Sequence, residues 1–238
     1  MILNDFESVT CFPVFSAISK ISAGDFGKDQ GAQEKIQDQA ARQLFGGYKY
    51  HKTIAQHGNE FKIINGDTID QYHECDALIW YRTKSKEQGP LFISPTADCP
   101  TVVLHVKDHL SEAIAIIHSG RRGTKLGIVP KIIETIANHL CIKPSLISTE
   151  LYPGICENCY EVTEDIAKNF PPEFVNDRHL NLRGIITEQL VSSGVEKMII
   201  SSSCSCCTKE NGEHIFYSHR RNPNGKRNAV FITPFKLG

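Results

Sequence analysis

The chain has 238 residues, 40% of them hydrophobic and 22% charged, a globular balance at a length that builds a core without disulfide staples. Its 26 Lys and Arg against 27 Asp and Glu give a net charge of −1, which argues against a broad electrostatic nucleic-acid binder but leaves room for a local anion site. No stretch approaches the ~18 consecutive apolar residues of a membrane span, and the start has neither the basic region nor the apolar run of a signal peptide. A cytoplasmic chain is therefore expected, with its nine cysteines as thiols or thiolates rather than disulfides.

In chain order, residues 12–15 read as strand and 30–45, rich in Gln, Glu and Ala, as a polar-faced helix. Residues 61–64 and 75–81 read as strands. Residues 91–94 predict a strand that stops near Pro95, the β-branched run 101–106 the next, and 113–117 a third. After a Gly-rich turn, Leu126, Val129, Ile132, Ile133, Ile136 and Leu140 recur at three- and four-residue spacing, one apolar helix face, with Pro130 near the first turn where proline is tolerated. Residues 149–152 read as strand, 162–170 as a helix ending before Pro171, and 182–191 as an amphipathic helix stopped at Gly194. Residues 198–200, 216–218 and 229–232 read as strands. Helices and strands interleave, with hairpin-like pairs mixed in, so the expected class is α/β (α+β) with mixed sheets, in a single domain spanning 1–238.

No G-x-G-x-x-G, Walker-type loop, H-E-x-x-H or G-x-S-x-G occurs. Cys156-Glu157-Asn158-Cys159 is like half of a nucleobase-deaminase zinc site. Ile155 stands where that site needs Pro, and no His has Glu two residues on, so the deaminase fold is excluded.

Five constellations could carry chemistry. Cys99, beside Asp98 at a break between two expected strands, suits a metal ligand or a nucleophile, with a buried structural thiol as the plain alternative. His118 ends a strand ahead of a Gly turn with Arg121 and Arg122, which suits anion binding through backbone N–H groups and guanidinium forks; the alternative is a solvated capping turn. His57 lies in a loop before a strand. Its distance in sequence from Cys99 and His118 defines no local metal motif, but the three together would form a His₂Cys set with a fourth position open on zinc. Cys204, Cys206 and Cys207, with Cys156 and Cys159 upstream, read as core or strand-end thiols before a Cys₄ zinc site, because C-x-C-C is not a usual knuckle and the gap after Cys159 is long. Arg220, Arg221, Lys226 and Arg227 fall on an expected basic hairpin that either closes over phosphate or faces solvent. Cys11, Cys75 and Cys141 read as packing.

These motifs line up in an order that resembles one family. They are His57-Gly58, Asp76-Ala77-Leu78, Ala97-Asp98-Cys99, the turn 118–123, Tyr160-Glu161-Val162, Cys207-Thr208, and Ser218-His219-Arg220-Arg221 with Gly225-Lys226-Arg227. The chain is similar over residues 55–232 to the laccase-domain proteins, first called multicopper polyphenol oxidoreductases and now described as zinc-dependent purine nucleoside phosphorylases, some as peptidoglycan editing factors. The resemblance implies a mixed α/β sandwich flanked by helices, the laccase-domain or cysteine-hydrolase-like fold. It implies one Zn²⁺ held by His57, Cys99 and His118, and purine nucleoside and phosphate as partners, with no nucleic acid or membrane. The activities it implies are phosphorolysis of adenosine, guanosine, inosine or methylthioadenosine, and adenosine deamination. On this reading Cys99, His118 and Asp98 serve catalysis, and Arg122, Arg220 and Arg221 hold phosphate. Multicopper chemistry is not expected, since three copper centres need roughly ten histidines in H-x-H pairs plus a His₂Cys site, and this chain has 10 in all and no H-x-H. Ala55, Ser119 and Arg121 stand where the family usually has Gln, Ala and Trp.

Two other classes remain open. A Cys–His hydrolase would use Cys99 as nucleophile and His118 as base on an amide such as a peptidoglycan precursor. A non-catalytic binding module would hold zinc by Cys156, Cys159 and two of Cys204, Cys206 and Cys207. The sequence sets no oligomeric state.

Overall fold

Two six-stranded mixed sheets carry the architecture. The computed structural model of the chain describes residues 6–8, 15–20, 49–65, 71–82, 89–107 and 111–234. The first sheet runs in the order β1 (Phe6–Ser8), β2 (Phe15–Ser19), β16 (Asn228–Thr233), β7 (Leu91–Thr96), β3 (Tyr50–Thr53), β5 (Gln71–His73). The second runs β13 (Lys197–Ile200), β10 (Ser148–Leu151), β8 (Thr101–Lys107), β9 (Glu112–His118), β6 (Ala77–Tyr81), β4 (Phe61–Ile64). Parallel pairs (β3 with β5 and β7, β4 with β6, β10 with β13) sit among antiparallel ones, the mixed α/β class expected.

The packing explains why the central sequence is so continuously apolar. One face of the second sheet, through Leu78, Trp80, Val103, Ile114 and Ile116, packs on Ile18, Phe92, Val230 and Ile232 of the first. Its other face, through Ile79, Val102, Leu104, Ala115 and Ile117, packs on two helices, α2 (Ile128–Leu140) and α4 (Leu182–Ser192). A strand covered on both faces has no polar side to alternate with, and β6 and β9 are buried along their whole length. At ~25 cal/mol per Å² of apolar surface, each large side chain in these layers contributes about 1.5–3 kcal/mol.

The helices depart from expectation at their ends. Val129, Ile132, Ile133 and Ile136 face the core, but Leu126 lies between α1 (Arg121–Lys125) and α2 and is 53% exposed. The helix expected over 162–170 shrinks to α3 (Glu164–Ala167), because Asn169 and Phe170 bond back to the third residue before them, which tightens the turn ahead of Pro171.

Three strand expectations also change. β7 runs on through Pro95, opposite Ala229. Its pairing with β3 ends at Ile93, so the missing N–H falls where one ladder has stopped. Residues 74–76 bend, and the strand begins only at Ala77. Residues 216–218 form no strand. There, the Tyr217 N–H donates to the Asn228 side-chain oxygen and the Asn228 amide donates to the Tyr217 carbonyl, so a side chain substitutes for a ladder rung. Small ribbons complete the fold: β11 (Val175–Asn176) with β12 (His179–Leu180), and β14 (Lys209–Glu210) with β15 (Glu213–His214). Cys75 is buried as expected, whereas Cys141 is exposed and caps α2 in a left-handed conformation. Cys11, residues 12–14 and the helix expected over 30–45 lie outside the described residues. Among the described residues no helix is long and apolar enough to cross a membrane.

Candidate active site

The site lies at links by which the chain crosses from the first sheet to the second. The β3–β4 link carries His57 and the β7–β8 link carries Cys99. His118 ends β9, paired with Thr101 just past the second link. Both links turn through a left-handed residue, His57 (φ 58°) and Asp98 (φ 80°), a conformation that costs a non-glycine residue of order 1–2 kcal/mol. Hydrogen bonds hold both turns: the His57 and Gly58 N–H groups each donate to Asp76 at 2.9 Å, the Asp98 carbonyl accepts from the Ile155 N–H at 2.8 Å, and the Thr96 hydroxyl donates to the Cys99 carbonyl.

The result is convergence. One ligand atom from each of His57, Cys99 and His118 lies within 4.8 Å of the others, and the two imidazoles stand edge to face with centroids 5.2 Å apart. Gly120 is required beside them, because a Cβ there would lie 2.9 Å from Cys99 Sγ. Gly123 is required for a similar reason: its Cβ would meet the Gly58 carbonyl at 2.8 Å, so α1 packs directly on the His57 loop.

Asp76 organises two of the three. It is fully buried, and beyond the two backbone N–H groups its Oδ1 lies 3.0 Å from His118 Nδ1. A carboxylate on Nδ1 fixes ring orientation and tautomer and leaves Nε2 for the site. Burial pushes the Asp76 carboxyl up, but the His118 bond and the two N–H donors outweigh it and hold it below the ordinary carboxylate range. For Cys99, burial also pushes upward, yet the charge and hydrogen bond of His118, with those of His57, bring the thiol down to about 6. Burial pushes His118 down, while the Cys99 and Asp76 charges raise it to about 9. Without a metal, these opposed shifts favour a thiolate beside an imidazolium. Asp76 and Tyr160 are the participants that sequence reasoning left without roles. Each stood in a motif (Asp76-Ala77-Leu78, Tyr160-Glu161-Val162), and a carboxylate opening a wholly apolar strand was the available signal. Burial and the nearby Cys99 charge raise the Tyr160 phenol, against the opposing charge of Arg121.

The remaining expected residues spread around this centre. Arg122 is exposed and, with Arg121, Lys125, Leu126, Asn169 and Phe170, lines a groove of about 350 Å³. Asp98 turns away, one oxygen accepting from the Ser205 hydroxyl at 2.7 Å and the other from the Arg220 N–H at 2.6 Å. The Arg220 guanidinium lies over the Tyr160 ring and donates to the Cys159 and Glu161 carbonyls, and that of Arg221 donates to the Ser205, Cys206 and Phe216 carbonyls. Both arginines thus brace loops. A second cluster lies in those loops. Instead of scattering as core or strand-end thiols, Cys156, Cys159, Cys204 and Cys207 bring their sulfurs within 4.8 Å of one another. These are the two metal-capable groups among the described residues.

Fold and site together define a laccase-domain protein. A family model described as multi-copper polyphenol oxidoreductase laccase matches residues 24–233, and the chain belongs to that family. A Campylobacter jejuni relative, 31% identical over 172 residues and 70% of each chain, is named a purine nucleoside phosphorylase. Another, from an unknown prokaryote, 29% identical over 61% of this chain and 56% of its own length, is named an adenosine deaminase. The crystal structure of the hypothetical protein YfiH from Bacillus licheniformis shares the fold, with a TM-score of 0.76 at 18% identity over 98% of this chain and 100% of that one.

Proposed function

We propose that the chain is a metal-dependent purine nucleoside phosphorylase whose metal is held by His57, Cys99 and His118. The observation that carries this reading is the convergence of those three donors, one of them at the turn that opens α1, whose Arg121, Arg122 and Lys125 line a groove. The donors fit zinc: two imidazoles, one already oriented by a buried carboxylate, and a thiolate, with a fourth position left for water or substrate. Bound there, zinc supplies Lewis acidity at the reacting centre. The chain's own residues do the rest. Asp76 holds His118 and the His57 loop in place. Arg122, aided by Arg121 and Lys125, binds phosphate at the groove. A phosphate oxygen then forms the bond to the ribose anomeric carbon, the glycosidic C–N bond breaks, and the purine leaves as the free base after taking up a proton. Arg121, in place of the family's Trp, puts a cation close to Tyr160 on the wall of this space. The names of the relatives support purine nucleosides as the substrate class.

Metal-quantified protein incubated with adenosine and with inosine, with and without phosphate, tests the reading. Phosphate-dependent release of free base is expected. Phosphate-independent ammonia from adenosine would instead identify a deaminase, the activity named for one relative. A further reading, a Cys–His hydrolase acting on an amide such as a peptidoglycan precursor, is favoured by the thiolate–imidazolium pair. It predicts activity that survives chelation and is abolished by alkylating Cys99.

A further inference from the structure

The loops braced by Arg220 and Arg221 hold a feature that nucleoside chemistry does not use. We infer that Cys156, Cys159, Cys204 and Cys207 form a second, structural metal site that takes a thiophilic divalent ion, zinc, in a closed four-sulfur shell.

Spacing and geometry agree. Each pair is separated by two residues, so the site is two C-x-x-C knuckles, and Cys206 is the residue that obscures the second one in sequence. All four sulfurs lie within 4.8 Å of one another, with Cys156 and Cys207 at 3.9 Å. Sulfurs around a tetrahedral zinc at ~2.3 Å stand about 3.8 Å apart, whereas a disulfide needs ~2.05 Å. The backbone already serves a thiolate there: Cys204 Sγ accepts from the Cys156 N–H at 3.2 Å and the Cys206 N–H at 3.3 Å, the first of these crossing from one knuckle to the other.

The fold presents the two knuckles together for a simple reason. β10 and β13 are parallel neighbours, so the loops that follow them leave at the same end of the sheet. Gly154 and Cys204 extend that pairing by one bridge, with the Ser205 N–H donating to the Gly154 carbonyl. Four protein ligands leave no open position, so this site holds structure rather than substrate. What it holds is the wall of the first site, since Ser205, between two of its ligands, donates to Asp98, the residue before Cys99.

The test is metal content and cobalt spectroscopy on the full chain. Cys156→Ser and Cys207→Ser should each lose one equivalent of zinc relative to wild type. Cys99→Ser should keep that equivalent, so the result stands apart from whether the first site is loaded. Cys156→Ser or Cys207→Ser protein with undiminished zinc would overturn the inference. Should those variants not fold, Cys99→Ser protein freed of metal and titrated with Co²⁺ decides. With the first site's sulfur gone, an intense thiolate-to-cobalt charge-transfer band appears only if the four-thiol site exists. No such band, or a thiol count showing these four cysteines paired as disulfides, overturns it.

Discussion

The two metal-capable clusters are assembled in different ways. Cys156, Cys159, Cys204 and Cys207 come as two local pairs on neighbouring loops, closed by sulfur and sewn together by backbone bonds. His57, Cys99 and His118 come from three separate places, number three rather than four, and lean on a buried carboxylate for their geometry. The contrast shows where each draws its precision: the closed cluster from short-range spacing, the open one from the sheets that bring its pieces together.

Substitution of the shared ligand type breaks this comparison most sharply. Cys99→Ser is expected to lose more activity than the ~10–100-fold typical of an outer partner, with unfolding little changed, as checked by phosphorolysis rates and a denaturant midpoint. Asp76→Asn should fall within that ~10–100-fold, since it leaves all three donors but releases His118. It should also change the pH dependence of stability. Asp76 is depressed in the folded chain, so its contribution is present above its unfolded value of 3.8 and is lost as pH falls through its lower folded value; acid titration of the metal-free Asp76→Asn protein should lack that step. Iodoacetamide sharpens the comparison from another side. In metal-free protein Cys99 should react at nearly constant rate from about pH 9 down to about 6 and slow below that, where an ordinary thiol has already lost its thiolate, as mass spectrometry of the labelled peptide would read. Gly154→Ala, whose Cβ would meet Pro100 backbone at 2.9 Å, should destabilise the junction between the clusters by about 1–3 kcal/mol in chemical denaturation. Arg122→Ala should do least, raising the KM for phosphate without moving the denaturant midpoint, whereas Arg221→Ala should move the midpoint and leave that KM alone.

The central strands were legible because burial on both faces writes a continuous apolar run into 77–81 and 113–117. Pro95 misled, because the end of the β3 ladder that makes it harmless is a property of another strand. The strand expected at 216–218 failed because Asn228 performs the ladder's work with a side chain, and hydropathy cannot register that. In the site, His57, Cys99 and His118 were recoverable from the order of the motifs and not from their spacing. Arg220 and Arg221, expected to hold phosphate, donate to backbone carbonyls, contacts that a guanidinium in sequence does not reveal. The four-cysteine cluster was the reverse case, a local spacing hidden by one intervening cysteine.

The register of β8 on β9 sets an order of assembly. Thr101 lies opposite His118 and Lys107 opposite Glu112, so a single hairpin closing on itself sets Cys99 beside His118 with little loop to organise. His57 arrives only when β4 finds β6, a parallel pairing that no hairpin can make. A nascent chain is thus expected to own two donors before the third, a half-formed claw able to catch a metal ion while the rest of the sandwich is still closing.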